Sequence, residues 1–190
     1  MKVYICGSVD KNLKKKYLKG IDKIAENIYS NGDSITSVGA NTGSIGEMYN
    51  TIKNNNGIIN LIVPTPYADE AEGMSANSIL VVDTLFMLQQ IALRNTDVTI
   101  ILPGGNGTLA ELYMITDSIK SKFDTDKVII YNPAGFYDHL KAMNDFMLKA
   151  GSLQKYQYDF FNWCETPEEV IKILDECRKK LKSKNKNAKI

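Results

Sequence analysis

Short apolar runs alternate along this chain with stretches whose apolar residues recur every three or four positions. Runs of four to eight apolar residues are the pattern of buried parallel strands, and the longer period is that of amphipathic helices. Five runs predict strands: Lys2–Cys6, Ser34–Val38, Ile58–Val63, Val98–Leu102 and Lys127–Tyr131. Helices are expected between them, over 12–30, 45–55, 79–94, from Thr108 through Leu112, Ile115 and Ile119 to about Ser121, then over 136–150 and from Pro167 to about Leu181. In the first of these, Leu13, Tyr17, Leu18, Ile21, Ile24, Ala25 and Ile28 share a face, and Asn31-Gly32 supplies the stop. The aromatic stretch Tyr156–Trp163 reads as a short edge strand, with packing or base stacking as the use of its rings. Strand and helix alternate five times. That predicts the α/β class: a Rossmann-like three-layer sandwich, with a mostly parallel sheet and helices on both faces. One domain over 1–182 accounts for the pattern, followed by a flexible basic tail at 183–190.

Two stretches depart from that regularity. The segment 79–94 is apolar nearly all the way round, which suits a buried helix or one at a subunit interface. On a helix, Asp83, Gln90 and Arg94 fall on one stripe, as a hydrogen-bonded seam in a dimer contact or as a wall of a ligand site. The segment Tyr67–Ser78 is acidic, turn-rich and long for a loop in a compact domain, which favours a lid or a base-selecting loop.

Composition narrows the function classes. The 190 residues carry a net charge of +1, but six lysines and no acid lie from Lys179 onward. The body before them is mildly acidic and carries no nucleic-acid footprint; the lysines are those of a solvated terminus. Cys6, Cys164 and Cys177 form no close-spaced pair. No metal pattern or disulfide framework follows, in keeping with a reducing cytoplasm. No signal peptide is visible, and no apolar run is long enough to span a membrane. The single histidine, His139, opens a helix after Gly135-Phe-Tyr-Asp, a surface or capping position.

The chemistry gathers around Val98–Leu112. The strand stops at Pro103; Gly104, Gly105 and Gly107 follow, flanking Asn106, and Thr108 opens a helix. Glycines let a backbone approach a ligand closely, and a helix start offers unpaired N–H groups and the positive dipole end. This is an anion site, and phosphate is the natural guest. Gly39-x-x-x-Gly43-x-x-Gly46 after the second strand, and Gly7-Ser8 after the first, bring two more loops to the carboxyl edge of the sheet, where open α/β sheets bind ligands. Glu111 has two readings. Thr108-x-x-Glu111 fits a capping box, as does Ser44-x-x-Glu47. Alternatively, Glu111 is a carboxylate beside a bound nucleotide, acting as general base or steadying a cationic sugar.

Pro103-Gly-Gly-x-Gly-Thr-x-x-Glu111, with Cys6-Gly7-Ser8 and the second glycine loop, resembles the signature of the Lonely Guy family, over roughly residues 1–150. Those proteins, formerly labelled lysine decarboxylases, are phosphoribohydrolases that cut the base from cytokinin-type nucleoside 5′-monophosphates. The resemblance implies a nucleoside 5′-monophosphate substrate, no cofactor, and a homodimer built through 79–94. It implies a phosphate site of Gly104, Gly105, Asn106, Gly107 and Thr108, with Gly7, Ser8, Gly39 and Gly43 nearby, and a chemical role for Glu111. One departure is plain. Family hydrolases carry an Arg-Lys pair, with a catalytic Arg, on the helix before the signature strand; an ungapped count places Leu88 and Gln89 there. Arg94 and Asp83 are the substitutes at hand. Three readings follow: a phosphoribohydrolase; a nucleotide-binding or sensing protein without turnover, which the missing pair favours; and a nucleoside deoxyribosyltransferase-like enzyme. Lysine decarboxylation is set aside, because no pyridoxal-phosphate lysine motif is recognisable.

Overall fold

The structure, a computed structural model, describes residues 1–94, 96–118 and 127–187. Among these, seven strands form one sheet: β1 Lys2–Cys6, β2 Ser34–Ser37, β3 Ile58–Pro64, β4 Ser78–Val82, β5 Val98–Ile101, β6 Val128–Tyr131 and β7 Phe161–Cys164. Their spatial order is β4-β3-β2-β1-β5-β6-β7, and every neighbouring pair is parallel. The helices are α1 Ile21–Ser30, α2 Gly43–Asn54, α3 Leu85–Arg94, α4 Asn106–Ser118, α5 Asp138–Lys149, α6 Lys155–Tyr158 and α7 Pro167–Asn187. The expected α/β sandwich is present.

The alternation of strand side chains builds two apolar layers. Val3, Ile5, Ile35, Leu61, Ile100 and Ile129 meet the inner faces of α1, α2 and α7. Tyr4, Cys6, Ile62, Ile101, Val128 and Ile130 meet α3 and α4 on the opposite face. Helix α1 buries Ile21, Ile24, Ala25 and Ile28, the i, i+3, i+4, i+7 stripe of a surface helix. Each fully buried isoleucine contributes about 1.5–3 kcal/mol of transfer free energy. No helix among the described residues is long and apolar enough to cross a membrane.

Five expectations are corrected. The helix expected over 12–30 is a single 3₁₀ turn at Lys15–Tyr17 followed by α1. Gly20 breaks it at φ +84°, where a side chain would strike the Tyr131 hydroxyl and Pro167. The Tyr131 hydroxyl also donates to the Lys19 carbonyl at 2.7 Å. The helix expected over 79–94 is two elements: edge strand β4, a turn at Asp83-Thr84, and α3. Asp83 therefore stands outside the helix, and the Asp83–Gln90–Arg94 stripe does not exist. The aromatic stretch divides into α6 and the other edge strand, β7. Helix α4 starts at Asn106 rather than Thr108, and α7 extends to Asn187. The end expected for the signature helix, Ile119–Ser121, lies outside the described residues, as do 188–190.

Candidate functional site

Chain direction across the sheet reverses at β1. Strands β2, β3 and β4 are laid down on one side of it, and β5 starts on the other. The carboxyl ends of β1 and β5 thus flank a topological switch point, the place where open α/β sheets leave a crevice. Three loops leave the sheet there: Gly7–Asp10 after β1, Val38–Thr42 after β2, and Leu102–Gly105 after β5.

Hydrogen bonds lace these loops into one unit. Ser44, in the first turn of α2, donates from Oγ to the Pro103 carbonyl at 2.7 Å and accepts the Ser8 N–H at 2.8 Å. The Ser8 N–H also reaches the Pro103 carbonyl at 3.1 Å, and the Ile45 N–H donates to the Ser8 carbonyl at 3.1 Å. Thr42 Oγ1 donates to the Val9 carbonyl at 2.6 Å. Gly43 has φ +68°, and a side chain there would collide with the Ser8 carbonyl. Glycine is needed on both counts. From behind, the buried Tyr137 hydroxyl donates to the Leu102 carbonyl at 2.7 Å and accepts the Gly104 N–H at 3.0 Å. Burial pushes that phenol well above its ordinary range, so it stays protonated.

A cleft of about 410 Å³ opens between the loops. Gly7, Ser8, Gly39, Gly105, Gly107 and Thr108 line it, and the N-terminus of α4 starts at its rim. The first intrahelical bond of α4 is Leu109 N–H to Gly105 carbonyl, so the N–H groups before it have no partner within the helix. Val9, Val38, Val63, Pro64 and Leu85 form an apolar wall; Asp10, Tyr67, Gln89 and Glu111 supply polar groups. Among the described lining residues there is no lysine or arginine.

Glu111 is part of the cleft lining, and it is not a helix cap. With α4 starting at Asn106, Glu111 lies beyond the first turn. Its Oε1 accepts the Tyr4 hydroxyl at 2.7 Å. Burial pushes the Glu111 carboxyl above the ordinary carboxylate range, against the downward pull of donors Tyr4 and Cys6. Burial also holds the Tyr4 phenol and the Cys6 thiol far up, so both remain protonated donors. The second capping box fails likewise: α2 has Thr42 at its N-cap, and Ser44 is inside the helix.

The sequence-predicted residues divide into three groups. Gly7, Ser8, Gly39, Gly105, Gly107, Thr108 and Glu111 meet at the cleft. Gly43 and Gly104 stand just behind it, where a side chain on Gly104 would strike Thr108 and Gly7. Asn106, Asp83 and Arg94 are exposed and do not line the cleft; Asp83 sits in the β4–α3 turn and Arg94 ends α3. Of the two places that the resemblance assigns to an Arg-Lys pair, Leu88 is fully buried, whereas Gln89 lines the cleft. Sequence reasoning missed Tyr4, Ser44 and Tyr137. Only Tyr4 left a trace, a polar-headed ring in a run that otherwise reads as aliphatic strand.

A family model described as "Possible lysine decarboxylase" matches residues 42–174, which spans both α2 and the signature loop. The chain belongs to this family. Named relatives of the chain are phosphoribohydrolases. A probable cytokinin riboside 5′-monophosphate phosphoribohydrolase of Oryza sativa subsp. japonica is 24% identical over 172 residues, 90% of this chain and 70% of that protein. A cytokinin riboside 5′-monophosphate phosphoribohydrolase of Mycobacterium tuberculosis is 35% identical over 77 residues, 40% of this chain and 41% of that protein. The fold recurs in a molybdenum cofactor binding protein of Rippkaea orientalis, with a TM-score of 0.66, 19% identity, and coverage of 92% of this chain and 94% of that one. It recurs again in the molybdenum cofactor carrier protein of Chlamydomonas reinhardtii, with a TM-score of 0.68, 17% identity, and coverage of 93% and 96%.

Proposed function

We propose that the chain is a nucleoside 5′-monophosphate phosphoribohydrolase. The observation that carries this reading is Glu111, a partly buried carboxyl lining a cleft that the N-terminus of α4 overlooks. The 5′-phosphate binds to backbone N–H groups of Gly105–Thr108 and to the Ser8 hydroxyl, the chemistry of a helix-start anion site. The base lies against Val38, Val63 and Leu85. Water attacks C1′ as the N-glycosidic bond breaks. Its oxygen and one proton go to the sugar as hydroxyl, the other proton goes to the base, and the products are free base and ribose 5-phosphate. Glu111 orients that water, takes its proton, and offers negative charge to the cationic sugar in the transition state. The reaction needs no metal or organic cofactor.

The assembly we propose is a homodimer. Ile79, Leu80 and Val81 on β4 and Leu85, Phe86 and Met87 on α3 are 40–57% exposed, an apolar surface at the sheet edge whose Leu85 also lines the cleft. Surfaces of this kind mark interfaces.

One observation favours a second reading, a nucleotide-binding or sensing protein without turnover. The described cleft residues hold no cation, and Arg94 stands outside them. The deoxyribosyltransferase-like reading gains nothing from this geometry.

The deciding experiment is base release from a panel of ribo- and deoxyribonucleoside 5′-monophosphates, for the protein beside Glu111→Ala. The hydrolase predicts release that falls by a factor of about 10² or more in the variant. A nucleotide that raises the melting temperature with release by neither protein would select the binding protein. Equal release by both would remove Glu111 from the chemistry.

A further inference from the structure

Strands covered on both faces are built mainly from aliphatic residues, and Val3 and Ile5 follow that rule in β1. Tyr4 breaks it. At 1% exposure it carries a phenol hydroxyl into the layer beneath α4, where a hydroxyl needs a partner. That partner is Glu111 Oε1, at 2.7 Å and 107 residues away in sequence. Cys6, two residues on and so on the same face of β1, stands near enough to influence the same carboxyl. A glutamate that only served helix α4 would turn to its own helix start. This one is held from β1 instead, by the Tyr4 hydroxyl.

We propose that Tyr4 is a positioning residue for Glu111: its hydroxyl clamps Oε1 and leaves Oε2 to the cleft. The inference rests on the reading of Glu111 as the group that meets the ligand. A hydroxyl donor stabilises a carboxylate more than a carboxylic acid, and the bond is strengthened by the charge. Burial acts in the opposite sense and is the larger influence here, which leaves the carboxyl above its ordinary range. The titratable groups around it are few. Tyr4 and Cys6 face it from β1, both held protonated by burial. Asp10 and Tyr67 are the other titratable residues among the described cleft lining, and α3 presents Leu85 and Gln89. Tyr4 thereby extends downward the pH range over which the site carries its negative charge.

The test is a carbon-13 NMR titration of glutamate-labelled protein, with Tyr4→Phe beside the parent and Glu111→Gln included to identify the Glu111 signal by its loss. Tyr4→Phe removes one oxygen and keeps the ring in place. The expected result is a Glu111 midpoint about one pH unit higher in Tyr4→Phe, because a donor to the anion has gone. Where base is released, the acid limb of kcat moves the same way, kcat recovers at high pH, and KM is unchanged. In the Glu111→Gln background the Tyr4→Phe change should leave nucleotide binding as it was. An unmoved midpoint overturns the proposal, even if Tyr4→Phe lowers the melting temperature, since that is what a purely packing role would do. The NMR readout needs no turnover. Absence of base release by the parent would therefore count against the hydrolase and leave the midpoint to judge Tyr4.

Discussion

Ser44 looks like an ordinary helix-start serine, and three residues ahead of Glu47 it invites the reading of a local cap. In the folded chain its Oγ is buried and ties the loop after β1 to the loop after β5. The two partners lie 36 and 59 residues away. Replacing it with alanine removes a donor from the Pro103 carbonyl and an acceptor from the Ser8 N–H. The expected cost is about 1–3 kcal/mol, the usual range when buried polar groups lose a partner, read from urea denaturation. Because both loops line the cleft, nucleotide affinity should fall as well, read by calorimetry; unchanged affinity would confine Ser44 to stability. The same blindness to distance affected Glu111. Thr108-x-x-Glu111 satisfies a local rule, and the carboxyl prefers a hydroxyl from β1.

Among the elements, β4 and α3 teach the most. Ile79–Val82 is an aliphatic run that merges without a break into the apolar face of the following helix, and short apolar runs do not announce their period. The boundary signal was present at Thr84, whose Oγ1 accepts the Met87 N–H at 3.2 Å as a helix N-cap does. Splitting the segment turns a deeply buried helix into an exposed edge strand beside a half-exposed helix start. An edge with unpaired N–H and C=O groups and uncovered aliphatic side chains associates with another surface unless charge blocks it. The proposed homodimer makes a prediction at this scale. Val81→Lys with Phe86→Glu should convert a dimer to a monomer in analytical ultracentrifugation. The fold should survive, because these side chains are 53% and 57% exposed. A parent protein that already sediments as a monomer would sink the dimer.

At the scale of the whole molecule, one ionic cluster joins distant parts of the chain. Asp33 is 3% exposed and pairs with the Met1 ammonium at 2.9 Å and with Arg178 Nη2 at 2.6 Å. Arg178 also donates to Asn27 Oδ1 and Asp175. Helix α7 is thereby fastened to α1 and to the start of β2, on the face of the sheet opposite α4. This use takes one of the two arginines of the chain out of contention for the cleft. Arg178→Ala leaves the Asp33 carboxylate short of a buried partner, and the expected loss is about 3–5 kcal/mol. Chemical denaturation measures it, and nucleotide affinity should hold where the variant is folded. A loss below about 1 kcal/mol would mean that the Met1 ammonium alone suffices.

Periodicity and spacing were enough to determine the α/β class, five of the strands, and a glycine-rich loop at the carboxyl edge of the sheet, because those features depend on residues close together in sequence. Backbone sterics at glycine, helix-start chemistry and the two-residue alternation of strands all act over a few positions. What only the tertiary structure decided depends on residues brought together from afar. It placed Tyr4 against Glu111, Ser44 against Pro103, and Tyr137 under the signature loop. It broke the first expected helix at Gly20 through Tyr131 and Pro167. It left Arg94 and Asp83 outside the cleft and put Gln89 within it. Burial, which governs the ionisation of Glu111, is a property of the packed chain, and no spacing rule along the sequence contains it.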